Sequence, residues 1–214
     1  MNTFKQTILG IITTTIFVLS SLQSSGMIIP VTGELVSDEI TCSFDININN
    51  QVSLDGKIQK TGHQDYLEIY AKGKFNFEIV EQGNKGKSYV SSNPDVLTFF
   101  SLSKEFGSIG LVAHNFLSGD EFYKLEQGDI IHIKNGSGEI HAFRVSESLS
   151  YQAIEPESVR SDFIDLETGN SLNYKELFMR TYGQSGYLIL QTCIEKDGNY
   201  EWGRYFIIAE SITV

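Results

Sequence analysis

The chain has 214 residues, 41% of them hydrophobic, with 14 phenylalanines, 10 tyrosines and only three prolines; this suits one globular domain plus an appendage and excludes a disordered chain. A formal net charge of -11 opposes phosphate backbones and anionic lipid headgroups, so nucleic acid is not an expected partner. Two cysteines give little scope for a disulfide framework.

Residues 1–25 carry one basic residue, Lys5, and an apolar run from Ile8 to Leu22 followed by small residues. This is the pattern of a signal peptide or, left uncleaved, of an N-terminal membrane anchor; the run is shorter than the ~20 apolar residues of a full span. Either way the folded part is expected outside the cytoplasm, secreted or anchored to the membrane. Residues 26–64 read as a β-hairpin extension. There Ile40, Cys42, Phe44, Ile46 and Ile48 alternate with Thr41, Ser43, Asp45, Asn47 and Asn49. Cys42 therefore falls on the apolar face of a strand, the usual setting of an inert buried thiol. Pairing of Cys42 with Cys193 stays open at this level.

From residue 65 to 214 the pattern is mainly strand. Tyr66–Ala71 and Phe75–Gln82 form a pair joined through Gly73. Asn93-Pro94-Asp95 opens a short helix anchored by Leu97, Phe100, Leu102 and Phe106. A strand then ends on Val112-Ala113-His114-Asn115, and residues 120–126 suggest another helical turn. The clearest hairpin runs over Ile130–Lys134 and Glu139–Val145. With Gly136-Ser137 as its turn, Lys134 faces Glu139 and His132 faces His141. Residues 149–186 break the strand rhythm, with Pro156, scattered acids and a mildly helical Tyr174–Tyr182; so long a connection reads as a binding loop or lid. Two apolar strands, one ending on Cys193 and one containing Arg204, close the chain around Asp197-Gly198-Asn199. Strands joined by short helices predict an all-β barrel.

Cys193, His114 and Arg204 come from three strand ends, where side chains are held yet reachable. Together they suit nucleophilic acyl transfer. An ordinary thiol titrates near 8.5 and needs an adjacent base or cation to become a good nucleophile. His114 would take and return a proton, and Arg204, which does not deprotonate, would offer donors to an oxyanion. Sequence distance says nothing about contact, so the bland alternative is a buried strand cysteine and a surface arginine. Asn115 either holds the imidazole or forms a turn; Thr192, next to the cysteine, should face the other side of its sheet. His132 and His141 make half a zinc site at most, and a solvent-facing pair is the default. No Gly-x-Ser-x-Gly elbow, phosphate-binding glycine loop or His-Glu-x-x-His is present, and a papain-like order would place the histidine after the cysteine.

Leu190-Gln191-Thr192-Cys193, followed by Arg204 and preceded by His114-Asn115, resembles the signature of the sortases, cysteine transpeptidases of the bacterial surface. The resemblance spans residues 96–214. Where the family's T-L-x-T-C pattern opens on threonine, this sequence has Ile189. The resemblance implies a mainly β fold, a sortase-like eight-stranded β-barrel with short helices. It implies that Cys193 attacks a carbonyl in a C-terminal sorting peptide, that His114 serves as acid and base, and that Arg204 stabilises the oxyanion or positions the peptide. Thr192 and Asn115 would border the substrate. The acceptor would be the amine of a cell-wall peptide or a pilin lysine. No cofactor is required, although Asp120, Glu121, Glu155, Glu157, Asp162 and Asp165 are acids of the kind that gather calcium in some sortases. The rival expectations are a secreted β-barrel binding or adhesion module without chemistry, and a cysteine peptidase that uses water as acceptor.

Overall fold

Alternation of apolar and polar side chains organises residues 66–213, which are the residues the computed structural model describes. The leader, the 26–64 extension and Cys42 lie outside the described residues. Strand β1 (Tyr66–Ala71) turns through Gly73 into β2 (Phe75–Glu81), as the sequence leads one to expect. Phe75, Phe77 and Ile79 are buried while Asn76 and Glu78 are exposed, the period-two signature of a sheet with one covered face. Then follow β3 (Val96–Phe99), β4 (Ile109–Val112), β5 (Ile130–Asn135), β6 (Ile140–Ala153), β7 (Phe163–Asp165) and β8 (Ser171–Leu172). Helix α1 (Tyr174–Thr181) precedes β9 (Tyr187–Lys196) and β10 (Asn199–Ile212).

The strand order is β10-β9-β4-β3-β2-β1-β5-β6, and β6 pairs back onto β10. Eight strands therefore close into the expected barrel, while β7 and β8 extend the sheet from β6. Closure removes the exposed edges that an open sheet would present. The β2–β3 and β4–β9 pairs are parallel and the rest antiparallel. Side chains from all eight strands fill the interior, among them Ile69, Phe77, Leu97, Leu111, Ile133, Phe143, Leu190 and Ile207. A second apolar cluster covers the outside of β9 and β10, where Phe178 of α1 and Tyr182, the residue that caps its C-terminus, join Ile189 and Phe206. Among the described residues, no helix is long and apolar enough to cross a membrane.

Three local expectations are corrected. The helix anticipated from Asn93 is replaced by strand β3, with a short 3-10 helix only at Ser101–Phe106. Val96 and Thr98 are β-branched, and β3 gains ladder partners on both sides, which outweighs the helix-like start signal. The β5–β6 hairpin is shifted by one residue, pairing Lys134 with Ile140 and His132 with Ala142. Its loop is Gly136-Ser137-Gly138, because the Asn135 carboxamide oxygen accepts from the Ser137 and Glu139 backbone N–H groups and Gly138 takes a φ of 84°. A one-residue shift sends alternate side chains to opposite faces. His132 does not face His141: it stacks on Tyr70, with ring centroids 4.6 Å apart. Lastly, residues 149–186 are not one long loop. β6 continues to Ala153 because β10 supplies a ladder partner as far as Gln152, and β7, β8 and α1 follow.

The helical reading near Tyr174 does hold. Asn173 accepts from the backbone N–H groups of Lys175 and Glu176, and the Glu176 side chain accepts from the Asn173 N–H, a complete capping box. Replacing Asn173 with alanine is expected to cost about 1 kcal/mol in urea unfolding, without altering chemistry at Cys193.

Candidate active site

The site follows from the pleat. Leu190, Ile207 and Leu111 point into the barrel, so their sequence neighbours Ile189, Phe206 and Val112 join the outer cluster. Continuing that alternation, Gln191 and Cys193 of β9 and Arg204 of β10 share the outer face. Arg204 and Cys193 are direct partners in the antiparallel β9–β10 ladder. In the parallel β4–β9 pair, Val112 lies opposite Gln191, and the Ala113 N–H donates to the Gln191 carbonyl at 3.1 Å. Val112–Gln191 is the last pair of that ladder, and His114 and Cys193 each lie two residues beyond it. Cys193 and Arg204 are thus paired on neighbouring strands, and His114 follows the end of the strand on the other side of β9.

All three are buried: Cys193 is 0%, Arg204 3% and His114 7% exposed. Cys193 is disulfide-bonded, which corrects the expectation of a standing reactive thiol. A sulfur in a disulfide is neither thiol nor thiolate, and it attacks nothing until it is reduced. The sequence holds one other cysteine, Cys42.

His114 stacks on Phe116, with centroids 5.1 Å apart. Burial holds its pKa below the usual histidine value, and a hydrogen bond with the Val90 carbonyl pulls the other way. The Nδ1 atom has no hydrogen-bond partner among the described residues. A neutral ring with an accepting nitrogen is the form a general base needs. The same depressed pKa has a consequence for stability. The unfolded chain binds the His114 proton more readily, so this contribution is fully present above about pH 6.5 and is lost as pH falls through the lower folded value. His114→Gln is expected to flatten that part of the stability profile, measured as urea midpoints between pH 4 and pH 8.

Arg204 is a surface cation in neither position nor contacts. Its Nη1 donates to the carbonyls of Glu201 and Gly203 at 2.9 and 3.0 Å, and its Nη2 to that of Pro156 at 3.4 Å. Burial lowers its pKa, with the nearby Glu201 charge acting in the opposite sense. A guanidinium stays charged throughout. Its fork therefore ties the start of β10 to the segment after β6. A hollow of about 520 Å³ adjoins this tie, lined by Glu155, Pro156, Glu157, Ser158 and Asn199. A larger hollow of about 640 Å³, bordered by Lys72, His132 and Arg144, shares no residue with the site.

Asn115 does not reach the imidazole by any bond described: its Nδ2 donates to the Tyr200 carbonyl at 3.2 Å. Tyr200 in turn meets Phe116 edge-on at 5.7 Å, and both rings are about half exposed. They form an aromatic rim beside His114. Thr192 faces away from Cys193, as alternation requires, and donates its hydroxyl to the Ala113 carbonyl at 2.9 Å.

Tyr123 is a residue that sequence reasoning missed. Its hydroxyl donates to the Cys193 carbonyl at 3.1 Å, and its ring stacks on Tyr205 at 4.4 Å. Burial, then Tyr205 and Asp120, push its pKa up to about 12, so it remains a donor at any physiological pH. The acids raised as calcium candidates have nearer partners in two cases. Glu121 pairs with Lys124 at 2.6 Å, and Asp165 accepts from the Glu167 and Thr168 N–H groups. Among the described residues, no group of three or more His, Cys, Asp or Glu side chains is arranged to hold a metal ion.

No protein-family model matches the chain, and no curated protein matches it. Solved structures similar to it include a lid mutant of sortase A from Corynebacterium diphtheriae, at 15% identity over 73% of this chain and 75% of that one, with a TM-score of 0.45. Sortase C from Clostridium perfringens SM101 has 16% identity over 71% of this chain and 73% of that one, with a TM-score of 0.43. Clostridium perfringens sortase C with the C-terminal cell wall sorting motif has 15% identity over 71% of this chain and 74% of that one, with a TM-score of 0.41.

Proposed function

We propose that this chain is a sortase-type cysteine transpeptidase that works after reduction of Cys193. The observation that supports this reading is the register of β9, which pairs Cys193 with Arg204 on one side and, on the other, runs beside the strand that leads into His114. The sequence resemblance around Leu190-Gln191-Thr192-Cys193 names the reaction class. Placement outside the cytoplasm rests on the leader, whose apolar run fits export.

In this reading the Cys193 thiolate adds to the carbonyl carbon of a peptide bond in a C-terminal sorting sequence. The electron pair moves onto the carbonyl oxygen, and the Arg204 guanidinium stabilises that charge. His114 gives a proton to the departing amine as the C–N bond breaks, leaving a thioester on Cys193. An incoming amine, from a cell-wall peptide or a pilin lysine, passes its proton to His114 and attacks the thioester. The new amide forms and the thiol is released. Thiol and imidazole titrate as a pair, so a rate profile with two limbs, both moved by substitution of His114 or Cys193, is expected.

Water in place of the amine would make the same site a peptidase. A binding module without chemistry is favoured by one observation, that the disulfide and the carbonyl-bound Arg204 leave the site in a closed arrangement. The test is an assay of reduced protein on a pool of quenched sorting-type peptides, with and without a glycine amine. Transpeptidation predicts product joined to glycine and faster turnover when glycine is added. Product unaffected by glycine assigns the peptidase, and no cleavage under reducing conditions assigns the binding module.

A further inference from the structure

The residue before the cysteine and the residue before the histidine are joined by one buried hydrogen bond. Thr192, fully buried, donates its Oγ1 to the Ala113 carbonyl at 2.9 Å. The turn that leaves His114 folds back onto the same point. The His114 carbonyl accepts from the N–H groups of Leu117 and Gly119, at 3.1 and 3.0 Å. Gly119 is thereby pressed against the threonine: a Cβ added there would lie 2.2 Å from Thr192 Oγ1 and 2.7 Å from the His114 carbonyl oxygen. Contacts that short are not tolerated without movement, and one of the two crowded atoms is backbone. Glycine is the residue that lets the His114–Gly119 turn close over the threonine.

Resting on the reading of Cys193 and His114 as nucleophile and base, we infer that Thr192 and Gly119 form a clamp that sets the separation of those two side chains. Thr192 is then a positioning residue rather than a substrate contact. Its hydroxyl is spent on the Ala113 carbonyl and its side chain lies on the opposite face of β9 from Cys193. The clamp also explains how two parallel strands keep their register past the end of the β4 ladder, where the last paired residue is Val112. The Ala113 N–H to Gln191 carbonyl bond is one anchor, and the Thr192 hydroxyl is the next. Loss of the second anchor frees the His114 turn to drift from Cys193 while the barrel stays closed. A displacement of this size between reacting groups is costly to catalysis even when the fold is intact.

The test needs no knowledge of the substrate. The reduced full chain is alkylated with iodoacetamide across pH, and modification at Cys193 is read separately from Cys42 by peptide mass. His114→Ala first establishes how much of the profile belongs to the cysteine–histidine pair. Thr192→Val keeps the shape but removes the donor, and is expected to slow alkylation of Cys193 at neutral pH by about tenfold, the effect of one pH unit in thiolate population. Gly119→Ala, which keeps the hydroxyl but forces the turn outward, should act in the same direction. Thr192→Ser, which keeps the donor, should retain the wild-type profile and controls for folding.

The outcomes separate the two claims. A wild-type profile indifferent to His114→Ala removes the base assignment itself. A profile sensitive to His114→Ala but unchanged in folded Thr192→Val or folded Gly119→Ala removes the clamp and leaves the site reading standing. Should Thr192→Val not fold, Gly119→Ala decides. If Thr192→Ser behaves like Thr192→Val, the hydroxyl is not the operative group and the clamp is overturned.

Discussion

Oxidised protein should form no acyl adduct with any peptide, and a thiol reductant should restore adduct formation at Cys193. Cys193→Ala should form none in either state. This follows from two facts that pull in opposite directions until reduction resolves them. Cys193 is paired with the buried Arg204 and, in the proposed site, faces the buried His114, yet its sulfur is disulfide-bonded. Thiol–disulfide exchange with a dithiol converts the bond to two thiols while the reductant becomes the disulfide, and the released Cys193 then ionises against His114. Measured as thioester yield by mass, the ratio of reduced to oxidised protein should exceed about a thousandfold, since the nucleophile is either present or absent. Equal reactivity in both states would mean that the chemistry, if any, does not pass through Cys193.

Arg204→Ala should be the most damaging single substitution outside the nucleophile, and it should damage fold and chemistry together. The guanidinium satisfies the carbonyls of Glu201, Gly203 and Pro156 from a buried position. Its removal strips those acceptors of their donors and is expected to cost about 3 kcal/mol in urea unfolding. The segment after β6 and the start of β10 lose their tie, so proteolysis should appear first near Pro156. Acyl transfer should fall by about 10² to 10³ where the arginine serves the oxyanion. Arg204→Lys separates the two effects. A lysine retains the charge but lacks the planar fork, so stability should recover less than activity does. Equal loss of rate in Arg204→Ala and Arg204→Lys, with stability unchanged in both, would contradict the assignment of the fork to these carbonyls.

Much of this architecture was legible because period-two alternation is a direct signal. Phe75–Ile79 shows it openly, β9 was read instead from its apolar run, and the positive φ values of Asp197 and Gly198 match the turn read between β9 and β10. The helical pattern of Tyr174–Tyr182 was equally local, and α1 formed there, closed by a capping box at Asn173 that was not read from the sequence. What sequence did not reveal was decided by partners far along the chain. β3 formed because β2 and β4 flank it, and the second half of β6 because β10 runs beside it. The hairpin register turned on how Asn135 spends its side-chain oxygen, which dipeptide turn propensity does not report.

The site divides along the same line. Cys193, His114 and Arg204 were recognisable by motif, but the pairing of Cys193 with Arg204 and the course of β4 beside β9 are products of strand order. The contacts that refine the site had no sequence signal at all. Tyr123 reaches the Cys193 carbonyl from a helical turn 70 residues earlier, and the Thr192 hydroxyl is taken by the Ala113 carbonyl. Gly119 is crowded against Thr192, a contact that its neighbours in sequence do not announce. The disulfide at Cys193 was an open alternative that alternation around Cys42 had argued against.

The most direct test of the central claim is intact mass of the reduced full chain after incubation with sorting-type peptides, beside Cys193→Ala. The account predicts a mass gain equal to an acyl fragment, mapped to Cys193, absent in the variant and discharged when a glycine amine is added. A reduced chain that gains no acyl mass from any peptide, with Cys193 alkylating no faster than Cys42, would contradict it.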